Sequence, residues 1–170
     1  TFILMRWKVN SRGQQTLGMP IGMIFSIFLI VVFIVIAFIA VKQFLKIGGT
    51  ADVGIFYQDL QKAVDDSWNG QSSEKIFEIN LPSKIEKVCF GNLSLEITGS
   101  LEDYNKIKDY FIYEANIFLI PPENAESLEY HYIEHIDLER IIKNSNPYCV
   151  SSKGGLKISK DFYDKLVFIE

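Results

Sequence analysis

The sequence predicts an α+β fold, in which a single N-terminal transmembrane helix precedes an amphipathic helix and a mostly antiparallel, β-rich extracytoplasmic domain. Three observations carry this prediction. Residues 20–41 contain no charged side chain, apolar residues recur at helical spacing over 53–68, and short runs rich in Ile, Val and aromatic residues alternate with turn residues from residue 75 onward. The chain is therefore divided into a basic cytoplasmic leader (1–19), a transmembrane helix (20–41), a linker (42–52) and an extracytoplasmic α+β domain (53–170).

The transmembrane helix is predicted from the length of the apolar run. A helix of this length extends about 33 Å, against about 30 Å for the hydrocarbon core of a bilayer. Its Leu, Ile, Phe and Val side chains favour insertion by roughly 5–10 kcal/mol. A buried strand would be much shorter. Lys42 follows the run directly, without the small-residue cleavage site of a secretory signal, so we expect an uncleaved anchor.

The charges predict the orientation of this helix. Arg6, Lys8 and Arg12 precede it, only Lys42 and Lys46 follow it closely, and the first acidic residue is Asp52. The positive-inside rule then places the N-terminus in the cytoplasm and the C-terminal domain outside the cell membrane.

The domain that follows the helix is acidic. From residue 47 onward, 12 Lys and Arg (the 17 of the chain less these five) face 21 Asp and Glu, a net charge of −9. Such a surface repels phosphates, so a nucleic-acid partner is not expected. The glycosylation sequon at Asn92 and the two cysteines in this part also suit an exterior location.

Small residues at intervals of four mark one face of the apolar helix: Gly18, Gly22 and Ser26. Such a face allows two helix backbones to approach closely, which favours self-association. The alternative is that small residues are simply common in membrane helices. Membrane lipid, a second copy and a surface protein are therefore the expected partners.

The extracytoplasmic domain is predicted from local patterns. A break at 47–50, with Asp52 as N-cap, should separate the membrane helix from an amphipathic helix that ends near Asn69 and Gly70. A short helix is expected within 101–115, Pro121 and Pro122 should stop a strand, and Gly154-Gly155 should form a hairpin turn. The predicted strands cover 75–81, 85–90, 93–97, 116–120, 130–136, 148–151, 156–159 and 166–169.

The two cysteines, Cys89 and Cys149, lie on two of these strands. In an oxidising exterior, a disulfide between them would stabilise the domain by about 4 kcal/mol on the chain-entropy estimate. Two buried free thiols are the alternative. A single pair at this spacing fits neither a redox CxxC site nor a zinc site.

The residues His131, Glu134 and His135 have the HxxEH spacing of inverzincin metalloproteases. That chemistry needs both histidines on one helical face to bind zinc, with the glutamate activating water. The neighbouring Tyr and Ile residues favour a strand, which would separate the histidines by about 13 Å. Packed or surface histidines are the preferred interpretation, and a membrane-tethered zinc hydrolase is a remote alternative. No catalytic residue, metal or cofactor is expected.

The junction Ser11-Arg12-Gly13-Gln14, set just before the long apolar helix, resembles the class III signal of archaeal type IV pilin-like proteins. The resemblance covers about the first 45 residues and implies cleavage between Gly13 and Gln14 on the cytoplasmic side. Met5, followed by Arg6 and Lys8, would then start a conventional basic leader. The resemblance implies a non-enzymatic structural subunit, with a helical filament core and a β-rich head. The alternative is an anchored ectodomain that binds a surface partner without polymerising.

Overall fold

The computed structural model describes residues 18–125 and 127–170 of the chain. Contacts divide the chain into two compact units, Thr1–Phe44 and Leu45–Glu170. The second unit is called the head below. The fold is α+β, with an N-terminal apolar helix and antiparallel sheets, as predicted.

Helix α1 covers Gly18–Asn69. In the first unit, its large apolar side chains from Ile21 to Val41 are 37–68% exposed, apart from the half-buried Val32. The segment Ile21–Gln43 is long and apolar enough to cross a membrane. The predicted break at 47–50 was wrong, because these residues are helical. Two glycines lower helix propensity by about 1 kcal/mol each, and a helix continued on both sides tolerates that cost.

The C-terminal end of α1 lies where the sequence predicts it. Asn69 is the last helical residue, and the backbone N–H of Gly70 donates to the carbonyl of Ser67 at 3.2 Å. The Asn69 side chain also donates to the Asp65 carbonyl at 2.8 Å. The first of these bonds uses a carbonyl group that the last turn of a helix would otherwise leave without a partner.

Among the described residues of the head, seven strands form two antiparallel sheets. The first sheet has the order β1-β6-β7, and the second has the order β4-β3-β2-β5. An isolated parallel bridge joins Ile136 to Val167. The strands are β1 (Ser73–Glu78), β2 (Lys87–Phe90), β3 (Ile117–Ile120), β4 (Tyr130–His131), β5 (Tyr148–Ser151), β6 (Gly155–Lys160) and β7 (Phe168–Ile169).

The main core lies between α1 and the two sheets. The apolar stripe predicted over 53–68 is buried there from Val53 to Val64, whereas Trp68 is 39% exposed. The stripe packs with alternate residues of the strands because successive side chains of a strand point to opposite faces. Its members from α1 and the strands are Val53, Phe56, Tyr57, Leu60, Ala63, Val64, Val88, Phe90, Ile117, Leu119, Leu156, Ile158 and Ile169.

A smaller core covers the opposite face of the second sheet. Helix α2 (Leu101–Ile107) and the 3₁₀ turn Lys108–Ile112 lie over it, in the region where a short helix is predicted. Ser100 caps α2 by accepting a hydrogen bond from the Asp103 N–H at 3.2 Å. This core contains Cys89, Ile107, Phe118 and Ile120.

Three local predictions in the head were wrong. Residues 93–97 form no strand, because the Asn146 side chain donates to the carbonyls of Asn92 and Glu96 and holds this segment as a loop. Of 130–136, only Tyr130–His131 is a strand. The turn at Gly154 is not a hairpin, because the strands it joins, β5 and β6, belong to different sheets. A short helix, α3 (Leu138–Ile141), was not predicted.

Candidate functional site

The segment 131–135 lies against one face of α1. The His131 ring stacks on Tyr57, with centroids 4.7 Å apart, and the His135 ring stacks on Trp68 at 3.7 Å and an interplanar angle of 5°. The His135 Nδ1 also lies 3.1 Å from a carboxylate oxygen of Asp65. The two histidines therefore contact α1 at positions about three helical turns apart.

Gln61 joins the segment to the helix between these two stacks. Its Oε1 accepts from the Glu134 backbone N–H at 2.9 Å, and its Nε2 reaches the Glu134 carbonyl at 3.5 Å. The same Nε2 donates to the Asp65 carboxylate at 2.8 Å. This bond orients the carboxylate that contacts the His135 ring. Gln61 thus contacts both backbone polar groups of Glu134, as a residue of a neighbouring strand would.

This arrangement gives the HxxEH residues separate structural contacts. His131 ends β4, whereas His135 has a left-handed φ of 63°, so the three residues do not share a helical face as a zinc site of this type requires. Within 18–125 and 127–170, no group of three His, Cys, Asp or Glu side chains is placed to hold a metal ion. The arrangement favours packed histidines over the hydrolase alternative.

Two titratable groups of this region have shifted pKa values. The His131 ring packs on Tyr57, and its desolvation lowers the pKa of His131. The folded protein therefore disfavours the charged form of this ring. Burial, with a smaller contribution from the charge of Glu129, raises the pKa of Tyr57. Its hydroxyl donates to the Leu128 carbonyl at 2.9 Å, so Tyr57 is a neutral structural donor.

An open groove with a volume of about 490 Å³ runs along this face of α1. Tyr57 and Leu128 supply its apolar floor, and the exposed side chains of Gln58 and Lys62 stand at its rim. The volume lies within the range of small-ligand sites, and the groove is open to solvent. The groove is lined by Gly54, Tyr57, Gln58, Gln61, Lys62, Asp65, Leu128 and His131.

The predicted pair Cys89 and Cys149 forms a disulfide. The residues are register partners on β2 and β5, and the bridge belongs to the smaller core on the α2 side of the second sheet. It closes a separation of 60 residues. Its place in the fold indicates a structural role, away from the face that α1 covers.

The predicted glycosylation site lies in the loop that Asn146 organises. Asn92 is half-buried, its Oδ1 accepts from the Ser94 N–H at 3.0 Å, and Ser94 is exposed. The Asn146 Oδ1 accepts from the Asn92 N–H at 3.1 Å, which fixes the start of the loop. The acceptor asparagine therefore sits in an ordered turn at the surface.

The small-residue face begins with Gly18, the first residue of α1. A Cβ at Gly22 would meet no described atom of the chain within 4 Å, so the space beside it is open. The Ser26 hydroxyl donates to the Gly22 carbonyl at 2.9 Å and so has a partner within the helix. The predicted processing residues Gly13 and Gln14 lie outside the described residues.

Sequence reasoning missed the α1 residues that receive the 131–135 segment. Gln61 and Asp65 were interpreted as the solvent face of an amphipathic helix, and their partners lie 70 or more positions further along the chain. The exposure of Phe162 and Tyr163 was not predicted either, because the sequence alone does not separate core aromatic residues from surface ones. The chain matches no protein-family model, and no curated protein or solved structure is significantly similar to it.

Proposed function

We propose that this chain is a membrane-anchored surface protein of the structural, assembly-forming type, built as a pilin-like subunit. The observation that carries the proposal is a change in the exposure of the apolar side chains along α1. From Ile21 to Val41 the apolar side chains are exposed, whereas from Val53 onward one apolar stripe is buried in the core of the head. One helix thus joins an apolar segment that needs a lipid or protein surround to a folded head.

A lipid surround is the first part of the proposal. Exposed Ile, Phe, Leu and Val side chains over a length of about 35 Å fit a bilayer better than water. The basic residues before the helix and the acidic head support a cytoplasmic N-terminus and an extracytoplasmic head. The disulfide in the head supports an oxidising location.

Self-association through the helix is the second part. Gly22 leaves room for a neighbouring backbone, and the Ser26 hydroxyl needs no partner outside its own helix. A second copy can therefore pack on this face at small cost, as small residues permit in membrane helices. In this proposal the packed helices form the core of an assembly and the heads form its surface.

Cysteine cross-linking of the full-length chain in lipid membranes tests this packing. Ser26→Cys is nearly isosteric, and the native cysteines are already joined to each other. Ile24→Cys is the matched control, because two positions along a helix turn the side chain by about 200°. We expect covalent dimers from Ser26→Cys and few from Ile24→Cys. Equal yields at the two positions would refute packing through this face.

A bulky residue at Gly22 provides a second test. Gly22→Leu has open space within its own chain, so the head should fold as before. It should nevertheless reduce the Ser26→Cys dimer yield, since the added side chain separates the two backbones. An unchanged yield would show that this face is not the contact.

Processing is tested by the intact mass of the protein taken from cell membranes. A chain that starts at Gln14 would support the pilin-like interpretation, and a chain that retains Arg12 and Gly13 would count heavily against it.

The second candidate function is an anchored ectodomain that binds a surface partner without polymerising. The exposed aromatic side chains of Phe162 and Tyr163 favour this candidate, because such residues commonly anchor protein interfaces.

A further inference from the structure

A second cavity of the head lies beside α2 and the 3₁₀ turn that follows it. Its volume is about 320 Å³, at the lower end of the range of small-ligand sites. We call it the Tyr110 cavity. It is lined by Lys106, Tyr110, Pro121, Pro122, Glu123 and Glu129.

Part of the lining of the Tyr110 cavity is apolar and held in place. Tyr110 packs on the smaller core, and the Tyr130 ring lies against its ring with centroids 5.3 Å apart. Pro121 and Pro122 complete this apolar part, and the Pro122 carbonyl accepts from the Ala125 N–H at 2.9 Å. A lining that is already ordered lowers the entropy cost of binding a ligand.

Two carboxylates of the lining have no cation beside them. Glu129 is half-buried and Glu123 is exposed, and neither forms an ion pair within the part of the chain that the structure describes. Lys106 also lines the cavity, but its ammonium is already paired with the Glu102 carboxylate at 2.9 Å. Glu123 and Glu129 are therefore available as acceptors for a bound cation.

The charge around the Tyr110 cavity is negative when every nearby segment is counted. Two of these segments, 101–110 and 121–130, contain the lining residues, and a third, 84–87, is joined to them by the hydrogen bond from the Asn124 side chain to the Lys84 carbonyl at 2.9 Å. Together they carry seven Asp and Glu against four Lys. A cation is attracted to this region, and an anion is repelled.

The phenol of Tyr110 experiences the same field. Burial raises its pKa first, and the charges of Glu129, Asp109 and Glu123 raise it further. The phenol is therefore neutral at physiological pH, and its ring presents an uncharged aromatic face to the cavity.

We propose that the Tyr110 cavity binds a small primary amine in its ammonium form. Glu123 and Glu129 accept its N–H groups, the electron-rich face of Tyr110 attracts its charge, and the two prolines contact its hydrocarbon part. A quaternary ammonium has no N–H to donate to these carboxylates, so a primary amine fits better. None of these residues takes part in the proposed helix packing, so the site stands or fails separately from it.

A metal ion fits this cavity less well than an organic cation. Calcium takes about six to eight oxygen ligands, whereas the prolines and the Tyr110 ring face supply none. Across 18–125 and 127–170, no three His, Cys, Asp or Glu side chains are placed to hold a metal ion.

Titration of the full-length protein with n-butylammonium chloride, in a non-ionic detergent, tests the site. Ring signals of ¹³C-labelled tyrosine report binding, and Tyr110→Phe identifies the signal of Tyr110. We expect this signal to shift to saturation with n-butylammonium and not with n-butanol, which has the same chain without the charge. Equal shifts with the two compounds would overturn the inference, as would tetramethylammonium binding as tightly as n-butylammonium.

A matched pair of charge variants separates the site from general attraction to the acidic head. Glu129→Gln should weaken n-butylammonium binding about tenfold, because a neutral hydrogen bond replaces a charge-assisted one. Glu139→Gln removes one exposed carboxylate from α3, outside the cavity, and changes the net charge equally. It should change the dissociation constant by less than about twofold. Equal weakening in the two variants would overturn the site.

Removing the lining cation supplies a variant with the opposite effect. Lys106→Met should strengthen n-butylammonium binding about two- to fivefold, because it removes a like charge and releases the Glu102 carboxylate. Lys143→Met, at an exposed position outside the cavity, is the control and should leave binding within about twofold. Damage to the fold would not strengthen binding. Unchanged or weaker binding in Lys106→Met would overturn the assigned location.

Discussion

Replacing Asn116 by leucine removes two hydrogen bonds to the backbone of Ile133. These bonds hold the segment 131–135, whose His131 lines the groove. The Asn116 Nδ2 donates to the Ile133 carbonyl at 2.8 Å, and its Oδ1 accepts from the Ile133 N–H at 2.8 Å. Both bonds are buried. Leucine fills the same space without satisfying either backbone group.

The size of the effect follows from those two groups. A buried donor or acceptor left without a partner costs about 1–3 kcal/mol, so the pair costs about 2–6 kcal/mol. Burying leucine in place of an amide returns roughly 1–2 kcal/mol. We therefore expect Asn116→Leu to lower the free energy of unfolding by about 2.5 kcal/mol, the difference between the midpoints of these two ranges and a large share of the stability of a domain this size.

Urea unfolding of the full-length chain in detergent micelles, followed by tryptophan fluorescence, measures this loss. Trp68 reports on the segment directly, because His135 stacks on its ring. Asn124→Leu is the matched control, since Asn124 makes one exposed hydrogen bond, to the Lys84 carbonyl, and should change stability by less than about 1 kcal/mol. Equal losses in the two variants would refute the reasoning.

A carboxylate at position 116 distinguishes the contributions of the two hydrogen bonds, because it retains one and removes the other. Asn116→Asp keeps the acceptor for the Ile133 N–H but places a negative charge against the Ile133 carbonyl. Burial and that carbonyl should raise the pKa of the new carboxyl, so the variant should gain stability relative to the parent as pH falls and the acid becomes a donor. No relative gain on acidification would show that the side chain does not face the carbonyl.

Three further outcomes are expected. Reduction of the Cys89–Cys149 disulfide, or replacement of both cysteines by serine, should lower the free energy of unfolding by about 4 kcal/mol, the entropy estimate for a separation of 60 residues. Electrophoresis under reducing and non-reducing conditions checks that the bond is present. An unchanged urea midpoint would contradict the estimate. The lowered pKa of His131 means that the unfolded chain binds the proton first, so stability should fall as pH drops below about 6.5, and His131→Gln should remove that part of the loss in urea titrations at several pH values. Zinc content of the purified chain should be far below one per molecule, and a stoichiometric value would revive the hydrolase alternative.

The fold was predictable where one local pattern decides the outcome. The helical spacing from Val53 to Trp68 predicts a helix, and the short apolar run Ile117–Ile120, which two prolines follow, predicts a strand. The break at 47–50 was predicted wrongly because two glycines were taken as enough to interrupt the helix, whereas their cost of about 1 kcal/mol each is tolerated within the continuous α1. The loop at 93–97 was missed because its organiser, Asn146, lies about 50 positions away.

The candidate site was less predictable, because its geometry depends on distant partners. The HxxEH pattern marks the segment 131–135 in the sequence, but the contacts of His131 and His135 depend on Tyr57, Trp68 and Asp65, which the sequence places about 70 residues earlier. Exposure of Phe162 and Tyr163 could not be inferred either. Composition indicates how many aromatic residues a head contains and not which of them the fold leaves in solvent.

The division of the chain between Phe44 and Leu45 has a physical meaning for the proposed function. Before it, apolar side chains occur on every face of α1, so no single protein surface can bury them and only a surrounding phase or several neighbours will. After it, polar residues such as Gln61 and Asp65 alternate with a single buried stripe, so one folded partner suffices. A helix with both patterns is stable only at a boundary, where an apolar environment ends and water begins. In the proposed function, lipid supplies that boundary for a single copy, and packed neighbouring copies of the same helix supply it in an assembly.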